Sequence, residues 1–210
     1  MKREQEIADA FRVDEAVEAI KARDCTTAKE ILQDVAAGAP MQYENMIEVE
    51  GAIFIKCWDL DAFFHYLNYQ AEHGDPSLDI HWSPGAYPRA YYYLGYLAVQ
   101  DSDFDSAIEY LNKGLLLEPE HPKLRLEKAQ ALIGKHEFQA ALATLLPITS
   151  TTSLVTEADL AAVLRCRAFI LIEMGDLNTA RGLLHASLRL APDNDMARDE
   201  LAYIDNQEKV

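Results

Sequence analysis

The chain reads as all-α: an α-solenoid of about five helix hairpins closed by a C-terminal capping helix. Three observations predict this. Small residues recur in pairs twelve apart, with a break about twelve further on. These marks fall on apolar patterns of helical period. The chain is 210 residues long and half apolar, enough for a continuous core but with no run near the ~20 residues of a membrane span.

Two helices in a hairpin approach most closely where their side chains are small, so a repeat shows first at its tightest positions. Gly95, Ala107 and Pro119 form the best set. Ala16, Ala28 and Pro40 match it, as do Ala168, Ala180 and Pro192. Ala129 and Ala141 end on Ser153, and Gly51, Phe63 and Pro76 fit loosely, with a large Phe at a tight position. The first members are 35, 44, 34 and 39 residues apart, each 34 plus a short insertion.

The units run about 6–40, 43–76, 88–121, 122–153 and 156–194. In the first, Glu6 to about Arg23 is a helix with Phe11, Ala16, Ala19 and Ile20 inward, and Thr26 to Ala37 is its partner, ended by Gly38 and Pro40. In the second, a helix from Tyr43 to Trp58 precedes one from Asp59 to His73 that carries Phe63, Phe64, Tyr66 and Tyr69, either as core between hairpins or as a groove patch. Residues 74–88 hold three prolines and two glycines and read as an irregular loop, with Trp82 and Tyr87 pinning it to the array or lying in a groove.

The third unit has Phe104, Ala107, Leu111 and Leu115 as its apolar stripe. The fourth spans Pro122 to Ile148, followed by the polar linker Thr149–Ser153. The fifth turns at Gly175-Asp176. Residues 195–208 form the cap, with Ala197, Leu201 and Ile204 on its apolar side and Asp199, Glu200, Asp205 and Glu208 on its wet side.

The stretch Pro88–His121, with Tyr91-x-x-Leu94-Gly95 at its head, is 34 residues long and resembles the tetratricopeptide repeat. The resemblance implies a right-handed superhelix whose first helices line a concave groove. It also implies a scaffold or adaptor that binds a peptide segment of a partner protein. Helical spacing from the tight positions then selects Arg89, Tyr92, Tyr96 and Val99, next Lys123, Leu126 and Gln130, next Arg165 and Phe169. Three cations beside exposed aromatics suit a peptide with acidic and apolar residues. The richest part is Arg89-Tyr92-Tyr96, with 74–88 as its lid or rim. The Lys/Asn clamp by which some relatives hold C-terminal carboxylates is not apparent, since Asn45 is the one asparagine on the stripe. A second reading is a secretion-type chaperone of the same fold.

The formal net charge is −16, with 17 acids and 7 bases in residues 1–80. Such a field opposes nucleic acid and anionic lipid and favours basic partners. Cys25, Cys57 and Cys166 form no CxxC pair and read as thiols of a reducing, cytoplasmic compartment. No nucleophile-elbow, zincin, P-loop or dinucleotide motif occurs, so neither an enzyme nor a cofactor is expected. His73, Asp75, Asp79 and His81 are the one set from which a metal site, and so a metal-dependent enzyme, could be built, but loop spacing alone implies no ligand geometry. Asp101, Asp103 and Asp105 read as a hairpin turn and helix cap rather than a calcium loop. Self-association is a further expectation, through the aromatic second unit or the last helix.

Overall fold

A computed structural model describes residues 2–75 and 77–207, so Pro76 and Glu208 lie outside the described residues. The fold is an all-α helical-repeat solenoid that carries one small sheet. Among the described residues, four helix pairs make up the array: α1 (Lys2–Lys21) with α2 (Cys25–Ala37), α4 (Tyr87–Gln100) with α5 (Phe104–Leu117), α6 (Pro122–Gly134) with α7 (Phe138–Leu145), and α8 (Glu157–Glu173) with α9 (Leu177–Leu190). A last helix, α10 (Asp195–Gln207), packs against α9 and α8.

The tight positions do what their size suggests. Ala16, Ala28, Ala107, Ala129, Ala141, Ala168 and Ala180 are fully buried. At Gly95 a β-carbon would stand 2.5 Å from Leu111 Cγ. Phe11, expected inside, is 63% exposed, and Val13 faces the core instead.

All four hairpins turn in the same way. The second residue after the first helix takes positive φ: Arg23 (64°), Ser102 (58°), His136 (58°) and Gly175 (83°). The next amide then bonds back to a carbonyl five residues earlier, as in Asp24 to Ala19 and Asp103 to Ala98. Glu137 to Leu132 and Asp176 to Leu171 repeat the bond. Asp24, Asp103 and Asp176 also cap the second helix with their side chains.

The second unit is not a helix pair. Met46–Val49 is strand β1 and Ala52–Cys57 is strand β2, paired antiparallel from Met46 opposite Ile55 to Val49 opposite Ala52. Glu50 and Gly51 both take positive φ (53° and 85°), the backbone of a two-residue hairpin loop. Gly51 is therefore a turn residue and not a tight helix position. Helix α3 (Leu60–His73), capped by Asp59, leads on to strand β3 (Ile80–Pro84), which lies parallel to β2 with Ile53 opposite Ile80. The expected irregular loop thus contributes a strand, and Trp82 packs on Ile55, Cys57, Phe63 and Tyr66 within the insertion.

The insertion stands outside the stack. Helix α2 packs directly on α4, while α3 packs on β2 and β3. Among the described residues, no helix is long and apolar enough to cross a membrane.

Candidate functional site

A cavity of about 550 Å³ opens where the insertion meets the array. Its walls come from three stretches distant in sequence, joined by Asn45: the run from the end of β2 into the start of α3, the corner between α5 and α6, and the entrance to α8. Three helix N-termini, those of α3, α6 and α8, converge on it.

Trp58 forms the junction. Its ring stacks on His121, with centroids 3.8 Å apart and 15° between planes, and its indole N–H donates to Glu118 Oε2 at 2.9 Å. On the array side it meets Tyr92 at 5.3 Å. Lys123 Nζ stands 5.8 Å from the Trp58 centroid and 3.6 Å from Asp59 Oδ2. His65 Nε2 lies 2.8 Å from the Thr152 carbonyl, tying α3 to the linker before α8.

A buried ionic lock lies behind this wall. Lys56 Nζ pairs with Glu6 Oε2 at 2.9 Å and stands 4.1 Å over the Tyr43 ring. The Tyr43 hydroxyl donates to Glu6 Oε1 at 2.9 Å. Helix α1 thus turns acids inward to hold the insertion, and Asp9, also buried, accepts from the Tyr87 hydroxyl.

Burial decides the protonation of the wall. It pushes the Glu118 carboxyl up to about 8, with Glu6 adding to the shift while the Trp58 hydrogen bond and Lys56 oppose it. It pushes His121 down to about 3, helped by Lys123, so the imidazole is neutral at pH 7. His121 Nε2 faces Glu118 Oε2 at 3.8 Å, while its buried Nδ1, like the buried Asn45 Oδ1, has no hydrogen-bond partner. Burial also raises the Cys57 thiol to about 12, which makes it a poor nucleophile at neutral pH.

The expected groove stripe is only partly free. Arg89 is 7% exposed, paired with Asp14 and bonded to the Gly85 carbonyl. Tyr92 lies under Trp58, and Tyr96 and Val99 are half-buried. Arg165 pairs with Glu200 at 2.9 Å, and Phe169 is half-buried. Leu126 packs on the core between α6 and α8, and Gln130 is exposed with Nε2 3.7 Å from Cys166 Sγ. Of the stripe, Lys123 alone lines the cavity.

The three cations are therefore not a free anion-binding face, because each has an acidic neighbour that spacing along one helix does not reveal. Trp58, Glu118 and His121 were missed as site residues for the same reason. Their one sequence signal is a Trp placed just before an Asp helix cap. His73 stacks on Tyr69 and His81 pairs with Asp79 at 2.9 Å. Among the described residues no three acid, His or Cys groups gather as a metal would need.

Residues 98–153, which span the second half of one hairpin and the whole of the next, match the tetratricopeptide repeat family. This stretch of the chain is tetratricopeptide-repeat sequence. MamA of AMB-1 shares the fold, with a TM-score of 0.51 at 16% identity over 97% of this chain and 84% of that one. TTC0263, a thermophilic TPR protein of Thermus thermophilus, superposes with a TM-score of 0.48 at 14% identity, over 93% of this chain and 98% of that one. No curated protein sequence matches the chain. Tetratricopeptide repeats are in general scaffolds for protein–protein interaction, and this chain has that scaffold with a β-β-α-β insertion seated against its first helices.

Proposed function

We propose that this chain binds a segment of a partner protein, anchored by one side chain in the cavity between the insertion and the array. The observation that carries this is the cavity itself. It is formed by three separate stretches together with Asn45, has the Trp58–His121 stack as one wall, and is large enough for a bulky side chain. The insertion covers the groove at Tyr92, so the open part of the first-helix surface lies on α6 and α8. From the cavity the partner segment would run along Lys123 and Gln130, which are seven residues apart and so share one face of α6. The binding centre thereby moves from α4, where the sequence placed it, toward α6.

The test uses Ala158, an exposed residue of the cavity rim in the first turn of α8. Ala158→Trp would fill the opening without touching the core. A photo-crosslinking residue at Leu154, also on the rim, is expected to trap one partner segment in cells, and Ala158→Trp is expected to remove that product with the thermal melt unchanged. Trapping that persists undiminished with a filled cavity overturns the proposal.

A further inference from the structure

The geometry points to a cationic side chain on an apolar stem, arginine or lysine, as the group that this cavity holds. The inference rests on the reading of the cavity as a partner-binding site, and concerns the charge of what enters it. Asp59, Asp61, Glu120 and Asp159 line the opening. Among the residues that line the cavity Lys123 is the one cation set against them, because Lys56 is bound to Glu6, while Arg125, outside the lining, also attracts Glu120. The converging N-termini of α3, α6 and α8 oppose this balance with roughly half a positive charge each, which leaves an excess of about one to two negative charges.

Asp59 and Asp159 are already engaged in capping α3 and α8. Asp61 and Glu120 are exposed and make no hydrogen bond or ion pair among the described residues. They are the two carboxylates available to an incoming group. The unpartnered lone pair of Asn45 Oδ1 adds negative potential beneath them, as does that of His121 Nδ1 when the imidazole proton sits on the nitrogen facing Glu118. Trp58, Ala62 and Leu154 offer the apolar wall that a methylene stem needs while its charged head stays at the rim. The net charge of −16 steers the same kind of partner over longer range.

The probes are acetylated, amidated pentapeptides Ala-Ala-Xaa-Ala-Ala with Arg, Lys, Leu or Glu at the centre. The readout is the Trp58 indole N–H resonance. The chain has 2 Trp, so Trp82→Phe identifies it. The Arg or Lys peptide is expected to shift that resonance saturably, with affinity falling as salt is raised. Combining Asp61→Asn with Glu120→Gln is expected to weaken it by about fivefold or more. A Glu or Leu peptide that binds as tightly, or the absence of any shift with the Arg and Lys peptides, overturns the inference. If the Glu peptide binds and Ala158→Trp blocks it, the cavity reading stands and only the charge assignment falls. If the Arg peptide binds equally well to Ala158→Trp, both fall.

Discussion

Trp58 lies on His121 with its indole N–H bonded to Glu118, and this contact joins the insertion to the array across sixty residues of sequence. It sets two ionisable groups with opposite displacements side by side. The carboxyl is held protonated and the imidazole is held neutral by the same burial. The junction is therefore close to uncharged at neutral pH, which suits a contact that excludes water.

Stability should have a flat top bounded by these two groups. Glu118 is raised from the usual 4.5 to about 8, so the folded state holds an extra proton between those values. Stability present below 4.5 is lost progressively as pH rises to about 8. His121 is depressed from 6.5 to about 3, so its contribution, present above 6.5, is lost as pH falls toward 3. From 4.5 to 6.5 the two slopes cancel. Urea unfolding should show stability falling above about pH 6.5 by up to about 1.4 kcal/mol per unit, and Glu118→Gln should flatten that limb and let the acid limb run on up to about pH 6.5 in place of the flat top. A wild-type limb as flat as that of Glu118→Gln would show that the carboxyl titrates normally.

The Glu6–Lys56 pair should behave as a buried lock rather than a surface bridge. Both side chains are more than nine-tenths buried. Lys56→Met leaves Glu6 buried with the Tyr43 hydroxyl as its remaining partner and should cost about 3–5 kcal/mol. Adding Glu6→Gln removes the stranded charge and keeps an acceptor for Tyr43. The double variant should therefore be more stable than Lys56→Met alone. Chemical denaturation of the four species in a double-mutant cycle measures the difference, and additive losses would place the pair in a solvated setting.

The helical array was legible because its tight positions are local facts, visible as Ala or Gly at a twelve-residue interval. The insertion was not, because Gly51 and Phe63 imitate that interval while serving a hairpin turn and a sheet-facing core. The opposing signal was present in the β-branched and aromatic residues from Ile47 to Phe54 around Glu50-Gly51. The cavity was the least legible part. Trp58, Glu118 and His121 meet only because α2 packs on α4 and pushes the insertion out of the stack. Helical spacing puts Arg89 and Arg165 on the groove stripe but does not reveal Asp14 and Glu200, which approach them from other helices.

The shared hairpin turn gives a stability series with a known sign. Arg23, Ser102 and His136 occupy the left-handed region that Gly175 occupies without strain. An L-residue there costs about 1–2 kcal/mol, less what its side chain recovers. His136→Gly should stabilise the chain by about 1 kcal/mol, and Gly175→Ala should destabilise it by a similar amount. At Gly175 a β-carbon meets no atom within 4 Å, so that cost is purely conformational. Thermal melts of the two variants should move in opposite directions.

Glycine to alanine should also change sign between helices. Gly95 lets α4 approach α5 so closely that an added β-carbon would lie 2.5 Å from Leu111 Cγ and 2.8 Å from Leu111 Cδ2. Leu111 is fully buried and cannot withdraw, so Gly95→Ala should overpack the hairpin and cost about 1–3 kcal/mol. Gly182 sits in α9 on an exposed face with nothing within 4 Å of an added β-carbon. There alanine only restricts the unfolded chain and favours the helix, so Gly182→Ala should stabilise by about 0.5–1 kcal/mol. Urea midpoints measured on the two variants separate the packing term from the backbone term, because both substitutions make the same change to the unfolded chain. A Gly95→Ala midpoint at or above that of the parent would mean that α4 and α5 stand further apart than the Leu111 contact requires.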